Sequence, residues 1–155
     1  MVAKELAKLL KREVYSTDQI IEKKERDSIA HIFETQGEAA FRRLEKEAVI
    51  RVSNSSQGII DTGGGVILDP DNVKQLKKNG RVFYLQASPE MIYRCIQGKK
   101  NRPLLNVDDP LAKIKELLHQ RAPHYEKAAD YTVLSDGRTI SDMTQEIYQI
   151  VKSLA

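Results

Sequence analysis

The sequence Ile59-Ile60-Asp61-Thr62-Gly63-Gly64-Gly65-Val66 decides how the rest of the chain is interpreted. An apolar run that stops at three consecutive glycines predicts a β-strand that ends in a loop without side chains. Such a loop is either a tight turn or a place where another molecule approaches the main chain, and the triplet alone slightly favours the turn. In α/β sheets, ligands bind beyond the carboxyl ends of the strands, which is where this triplet would lie.

Length and composition indicate a single globular domain spanning residues 1–155. Hydrophobic residues make up 41% of the chain and charged residues 30%, so disorder is not expected. The net charge is +3 without a long basic block, which argues against a nucleic-acid partner. There is no leader and no apolar run long enough to cross a membrane, so we expect a cytoplasmic protein. The single cysteine, Cys95, rules out an internal disulfide, fits a reducing compartment, and is predicted to lie in the core.

Strand and helix patterns alternate along the chain. The predicted strands cover residues 13–18, 58–62, 81–87 and 131–134. The helices begin at recognisable caps, which are Asp18, Ser28, Thr35 with Glu38, Asp69-Pro70, Ser88-Pro89, Asp109-Pro110 and Thr139 with Asp142. This alternation predicts an α/β fold of three layers, with a parallel sheet covered by helices on both faces.

Arginines and one acid recur around the glycine strand, at Asp18, Arg42, Arg102 and Arg121. A guanidinium group binds a carboxylate or a phosphate through two parallel hydrogen bonds, so several of them near one strand end suggest a small anionic ligand. For any one arginine a surface ion pair is the better interpretation, and Arg42 has Glu38 and Glu45 at helical spacing. Surface pairing does not explain the combination of these arginines with the glycine triplet and Asp18.

At the level of whole motifs, the sequence resembles the shikimate kinase family over effectively its full length. The matching segments are Ser16-Thr17-Asp18, Ser28 to Phe33, Gly37 to Arg42, Thr62 to Val66, Arg102 to Leu105 and Arg121 to Tyr125. The resemblance implies a small P-loop kinase with a five-stranded parallel sheet. It also implies transfer of the γ-phosphoryl group of ATP to the 3-hydroxyl of shikimate with Mg²⁺, a step of chorismate and aromatic amino acid biosynthesis.

The resemblance also implies roles for residues in substrate binding. Asp18 would hydrogen-bond the shikimate hydroxyls and orient, or also deprotonate, the nucleophile. Arg42 and Arg121 would hold the substrate carboxylate. The backbone N–H groups of Gly63, Gly64 and Gly65 would meet the ring hydroxyls.

Further implied residues concern the nucleotide. Arg102 would close over the phosphates from a lid at about residues 97–109 and neutralise charge during transfer. Arg94 and Arg138 lie, more weakly, where the family packs arginines around adenine. A monomer is expected, with shikimate and a nucleotide as its small-molecule partners.

Two departures from the family pattern affect these expectations. No stretch matches G-x-x-x-x-G-K-[ST], and the family's first, central strand has no counterpart among the predicted strands. We therefore expect that the natural chain begins upstream of Met1, and that the chain as given binds nucleotide phosphates poorly. The family often has Asp-x-Asp where this chain has Ser16-Thr17-Asp18, so Ser16 either contributes weakly to Mg²⁺ binding through water or only caps a turn.

Three functions therefore remain open at the level of sequence. The first is an ATP-dependent shikimate kinase, or a gene product of that family whose start is misplaced. The second is a non-catalytic protein that binds a small polyhydroxy acid or a protein partner through the same pocket, favoured by the missing phosphate loop. The third is another small-molecule kinase, such as one for gluconate, against which the arginines, Asp18 and the glycine triplet argue.

Overall fold

The computed structural model describes residues 1–54, 57–97 and 107–154. In these ranges the strands are β1 (Val14–Ser16), β2 (Ile59–Asp61), β3 (Phe83–Gln86) and β4 (Tyr131–Leu134). The helices are α1 (Val2–Leu10), α2 (Thr17–Glu25), α3 (Ile29–Ser53), α4 (Pro70–Lys78), α5 (Pro89–Ile96), α6 (Pro110–Ala128) and α7 (Ile140–Ser153), with a 3₁₀ helix at Val66–Leu68. Residues 98–106 of the predicted lid, Arg102 among them, lie outside the described residues.

The strands form two parallel pairs, as the alternation of strands and helices predicts. Strand β1 pairs with β2 so that Ser16 lies opposite Asp61, and β3 pairs with β4 so that Phe83 lies opposite Tyr131. Within the described ranges no ladder joins β2 to β3. The two pairs therefore form two separate two-stranded sheets in the described part of the chain.

Helices cover both faces of the strands, as predicted. Phe83 packs against the cluster that contains Leu6 of α1 and Ile147 of α7. The next residue, Tyr84, stacks on Tyr125 of α6 with 4.8 Å between ring centroids. Because successive side chains of a strand point to opposite faces, α1 and α7 cover one face of β3 and α6 covers the other. The shared cluster, which also includes Ile59 of β2, holds the two strand pairs together through side chains.

Most helix starts follow the predicted capping chemistry. The side chains of Asp69, Ser88 and Asp109 each accept a hydrogen bond from a backbone N–H in the first turn of α4, α5 and α6. Thr139 and Asp142 form the predicted reciprocal capping box of α7. No side chain caps α1, whose N-cap position is Met1. In the described part of the chain, no helix has the length and apolar character needed to cross a membrane.

The capping box predicted at Thr35 and Glu38 does not form. Helix α3 passes through this segment and kinks at Gly37, which has φ 84° and ψ 171°. The Thr35 hydroxyl donates instead to the carbonyl of His31 at 2.8 Å, one turn earlier in the helix. The Thr35 hydroxyl can either bond back to the preceding helical turn or cap the helical segment that follows Gly37. The residue types alone do not show which of these hydrogen bonds forms.

Two other sequence predictions are wrong in detail. Helix α2 begins at Thr17 with Ser16 as its N-cap, so Asp18 lies inside the first turn rather than before it. Cys95 is exposed rather than buried, since α5 contributes no fully buried residue.

The Gly37→Ala substitution is expected to destabilise the fold by roughly 1–3 kcal/mol, because the backbone region that Gly37 occupies is essentially restricted to glycine. A Cβ at this position would meet nothing within 4 Å, so the cost comes from the backbone dihedral angles and not from a steric clash. Urea unfolding of the two proteins measures the difference. Gln36→Ala, at the exposed preceding residue, is the matched control and should change stability little. Equal stabilities for wild type and Gly37→Ala would contradict the strained geometry.

Candidate functional site

A cavity of ≈ 490 Å³ opens at the carboxyl ends of β1 and β2. Its polar wall comes from β1, α2, α6, and β2 with the segment that follows it, and includes Ser16, Asp18, Gln19, Glu22, Asp61, Thr62, Gly63, Gly64, Arg121 and Tyr125. Its apolar wall comes from α5 and α6, and consists of Ile92, Ile96, Ile114, Leu117 and Leu118. The volume lies in the range of small-molecule pockets, and the location is the one that the glycine triplet predicts.

The first two glycines of the triplet face side chains that arrive from distant parts of the chain. A Cβ at Gly63 would lie 3.4 Å from Asp18 Oδ1 and 3.5 Å from Glu45 Oε2. A Cβ at Gly64 would lie 3.1 Å from the Tyr125 hydroxyl and 3.3 Å from Arg121 Nη1. The structure therefore brings Asp18 and Arg121 to the triplet, as the sequence predicts.

The third glycine is covered by a guanidinium group. A Cβ at Gly65 would overlap the guanidinium of Arg42 and would lie 2.5 Å from its Nη2 atom. The triplet also forms a turn, in which the N–H of Val66 donates to the carbonyl of Gly63 at 3.3 Å. A turn alone does not require three residues without Cβ atoms. The close approach of Tyr125 and Arg121 to Gly64, and of Arg42 to Gly65, disfavours a Cβ at these two positions, whereas one at Gly63 would make ordinary contacts.

Arg42 makes both ion pairs that its helical spacing predicts. Its Nη2 lies 3.2 Å from Glu38 Oε1 and its Nη1 lies 3.0 Å from Glu45 Oε1. The first partner is exposed, but the side chain of Glu45 is 1% exposed. The surface-pair interpretation therefore describes Glu38 and not Glu45, whose carboxylate is buried beside Gly63.

Glu45 is a buried acid beside the triplet, and the sequence interpretation considered it only as a surface ion-pair partner of Arg42. Its Oε2 atom is buried without a hydrogen-bond partner among the described residues, and it faces the position of Gly63. Burial raises the pKa of Glu45 above its usual value, and Asp18 raises it further, while Arg42 and Arg121 oppose this shift. The signal was available in the sequence, since Glu45 lies four positions after the core residue Phe41 and so is expected on the buried face of α3.

We predict that the pKa of Glu45 falls when Asp18 is replaced by asparagine, because the substitution removes one of the two effects that raise it. Carboxyl ¹³C NMR titration of both proteins measures the shift. Because the pKa of Glu45 is higher in the folded protein than in the unfolded chain, Glu45 stabilises the fold most at pH values below its pKa in the unfolded chain. This stabilisation is lost as the pH rises through the pKa of Glu45 in the folded protein. Glu25→Gln on the same helix as Asp18 is the control, and a Glu45 pKa at or below 4.5 in the wild type would contradict the prediction.

Ser16 acts as a helix cap in this structure and also lines the cavity. Its Oγ accepts a hydrogen bond from the N–H of Gln19 at 3.3 Å, so Ser16 caps α2, and its weak contribution to Mg²⁺ binding stays a prediction. Asp61 lies opposite Ser16 in the strand register and lines the same cavity. Among the described residues no group of three or more His, Cys, Asp or Glu side chains could hold a metal ion. Mg²⁺ keeps most of its water shell and needs only one or two protein carboxylates. The Asp61 carboxylate and the Ser16 hydroxyl therefore fit a site that binds Mg²⁺ through water.

Of the arginines predicted to contact the nucleotide, Arg94 and Arg138 do not line the cavity, and Arg102 lies outside the described residues. Arg138 donates to the carbonyls of Leu134 and Asp142 and pairs with Glu146 at 3.0 Å, all near the start of α7. Arg94 is exposed and contacts the sulfur of Met91 on its own helix. The nucleotide roles of Arg94, Arg102 and Arg138 stay predictions.

The parallel strands, the helices on both faces and the cleft at the strand ends together define an α/β protein with a site for a small anionic ligand. The model of the shikimate kinase family matches residues 1–152. A shikimate kinase of Caldanaerobacter subterraneus subsp. tengcongensis is 46% identical over 146 residues, which cover 94% of this chain and 85% of that protein. This chain belongs to the shikimate kinase family.

Solved structures give the same assignment for the fold. The shikimate kinase of Acinetobacter baumannii in complex with shikimate is 36% identical, has a TM-score of 0.94, and is matched over 98% of this chain and 85% of that one. The shikimate kinase of Aquifex aeolicus is 30% identical with a TM-score of 0.82. The predicted α/β kinase-like fold is confirmed. Phosphoryl transfer from ATP with Mg²⁺ is the chemistry of this family, so the chain is a phosphotransferase of the kinase type.

Proposed function

We propose that this chain binds shikimate in the cavity beside residues 63–65 and transfers the γ-phosphoryl group of ATP to its 3-hydroxyl. One observation carries the proposal: each glycine of the triplet faces a different functional side chain, with Asp18 at Gly63, Arg121 at Gly64 and Arg42 at Gly65. A carboxylated ring with several hydroxyls requires this combination of cations, an acceptor and accessible main chain.

The two arginines are proposed to hold the substrate carboxylate. Arg42 uses one N–H for Glu38 and one for Glu45, and a guanidinium carries five donors, so further donors remain for a ligand. Arg121 lines the cavity, and its charge acts on the Glu45 carboxyl together with that of Arg42. Both cations therefore lie close enough to the same buried acid to act on one carboxylate. The buried Glu45 keeps the Arg42 guanidinium against Gly65.

Asp18 is proposed to position and activate the nucleophile. Its carboxylate lies beside Gly63 and lines the cavity, where it accepts hydrogen bonds from substrate hydroxyls. As the 3-oxygen of shikimate bonds to the γ-phosphorus, its proton passes to Asp18. The bond from that phosphorus to the oxygen bridging it to the β-phosphate breaks, and ADP leaves.

The metal and the nucleotide are assigned to residues at the edge of the same cavity. Asp61 and Ser16 would hold Mg²⁺ through water, with Ser16 contributing no charge. When bound, Mg²⁺ neutralises the negative charge of the phosphate oxygens during transfer. Arg102, Arg94 and Arg138 are proposed nucleotide contacts on the resemblance alone, and a monomer in the cytoplasm is proposed on the same basis.

A non-catalytic binding protein is the second candidate, and one observation favours it. Residues 1–155 contain no G-x-x-x-x-G-K-[ST] sequence, which is the loop that cradles nucleotide phosphates in P-loop kinases. The substrate cavity described above does not depend on that loop. Substrate binding and nucleotide turnover must therefore be measured separately.

Calorimetric titration of residues 1–155 with shikimate and with gluconate tests the substrate. ADP release, measured on residues 1–155 and on a longer form carrying any residues encoded upstream of Met1, tests the reaction. We expect shikimate binding in both forms and shikimate-dependent ADP release in the longer one. Binding of shikimate without turnover in either form would support the non-catalytic protein. A preference for gluconate, or no shikimate binding at all, would overturn the proposal.

A further inference from the structure

Tyr125 is held at two points beside the glycine triplet. Its hydroxyl donates to the carbonyl of Gly64 at 2.7 Å, across 61 positions of sequence. Its ring stacks on Tyr84 of β3, with 4.8 Å between centroids and an interplanar angle of 21°. Tyr125 therefore connects β3 with the loop that follows β2. Within the described ranges no ladder joins β2 to β3.

The other two carbonyls of the triplet are held by neighbouring backbone. The carbonyl of Gly63 accepts from the N–H of Val66 at 3.3 Å, and that of Gly65 accepts from the N–H of Leu68 at 3.1 Å. These bonds form within the turn and need no tertiary contact. The orientation of the Gly64 carbonyl, in contrast, depends on a side chain supplied by α6.

A fixed carbonyl at Gly64 fixes the next N–H as well. The peptide unit is planar and trans, so the oxygen of Gly64 and the amide hydrogen of Gly65 point in opposite directions. A hydrogen bond that orients the oxygen therefore orients the Gly65 N–H, one of the groups proposed to meet the substrate hydroxyls. Three glycines in a row would otherwise leave this peptide unit with many accessible orientations.

Tyr125 also sets the position of a substrate-binding arginine. Arg121 lies four residues earlier on α6, so both side chains project from the same face of the helix. Both reach Gly64, where a Cβ would lie 3.1 Å from the Tyr125 hydroxyl and 3.3 Å from Arg121 Nη1. The hydroxyl bond to Gly64 therefore fixes the distance between the triplet and the helix that carries Arg121.

We infer that Tyr125 is a positioning residue for substrate binding: its hydroxyl orients the Gly64–Gly65 peptide and holds Arg121 in place against the triplet. The inference rests on the proposed function, because it assigns Tyr125 to the shikimate site. Tyr125 acts through these groups and takes no part in proton or phosphoryl transfer.

The test compares Tyr125→Phe with Tyr84→Phe. Each variant removes one hydroxyl from the same stacked pair and keeps both rings, but the Tyr84 hydroxyl makes no hydrogen bond in the described part of the chain. Calorimetry with shikimate should show affinity weakened about 2- to 10-fold in Tyr125→Phe, the effect of one neutral hydrogen bond. Affinity in Tyr84→Phe should equal that of the wild type. In ¹H–¹⁵N spectra, the Gly65 amide signal should shift in Tyr125→Phe and not in Tyr84→Phe.

The outcomes separate this inference from the function on which it rests. Thermal unfolding of both variants should be similar, so that weaker binding in one cannot be assigned to a less stable fold. If the wild type binds shikimate and Tyr125→Phe binds it equally well, the inference is wrong and the proposed function stands. If the wild type does not bind shikimate, the proposed function is wrong and the inference fails with it.

Discussion

Replacing Asp18 with asparagine is expected to lower kcat for shikimate phosphorylation about 10²- to 10⁴-fold, the usual contribution of a positioned general base. Asparagine keeps the size of the side chain and can still accept a hydrogen bond, but it cannot take the proton of the 3-hydroxyl. The KM for shikimate should change much less than kcat. Steady-state ADP release, in whichever form of the chain turns over ATP, measures both constants.

The matched control for this experiment is Glu25→Gln, which removes a carboxylate from the last position of the same helix. Glu25 does not line the cavity, so kcat should remain that of the wild type. Asp18 also lies in the first turn of α2, where a negative charge favours the helix by roughly 0.3–1 kcal/mol. Unfolding curves must therefore accompany the kinetics. An unchanged kcat in a folded Asp18→Asn protein would exclude Asp18 as the base.

Replacing Arg121 with alanine is expected to weaken shikimate binding about 10- to 150-fold. This range corresponds to roughly 1.5–3 kcal/mol, the contribution of a charge-assisted hydrogen bond to a carboxylate. The arginine lines the cavity next to Gly64, and no other described cation lines that cavity. Arg121→Lys should recover part of the affinity, because lysine restores the charge without the planar pair of donors.

Calorimetric titration with shikimate measures this loss without any need for nucleotide turnover. Arg43→Ala is the control, since Arg43 is exposed on α3 beside Arg42 and outside the cavity. Loss of affinity in both variants would indicate a general electrostatic effect of net charge. Wild-type affinity in Arg121→Ala would remove Arg121 from the site and leave Arg42 as its proposed carboxylate ligand.

Much of the fold around the site was predictable from local patterns, whereas the resemblance to the family implied the roles of the site residues. The strand that ends at Gly63, the proline-marked starts of α4, α5 and α6, and the capping box of α7 all depend on residues a few positions apart. The predicted neighbours Asp18, Arg42 and Arg121 do surround residues 63–65. Thr35 shows the limit of such patterns, because its hydroxyl had two local partners and only the path of α3 decides between them.

The sequence by itself determined the α/β class and the parallel strands, because both follow from short-range periodicity and residue chemistry. The resemblance of its motifs to the shikimate kinase family implied that Asp18, Arg42 and Arg121 meet the glycine triplet. Only the tertiary structure decided that the Glu45 carboxylate faces Gly63 and that the Tyr125 hydroxyl holds the Gly64 carbonyl. Helical spacing indicates that Glu45 is buried, but it does not identify what the carboxylate meets. These contacts join residues far apart in the chain, and packing determines them, so no local pattern predicts them.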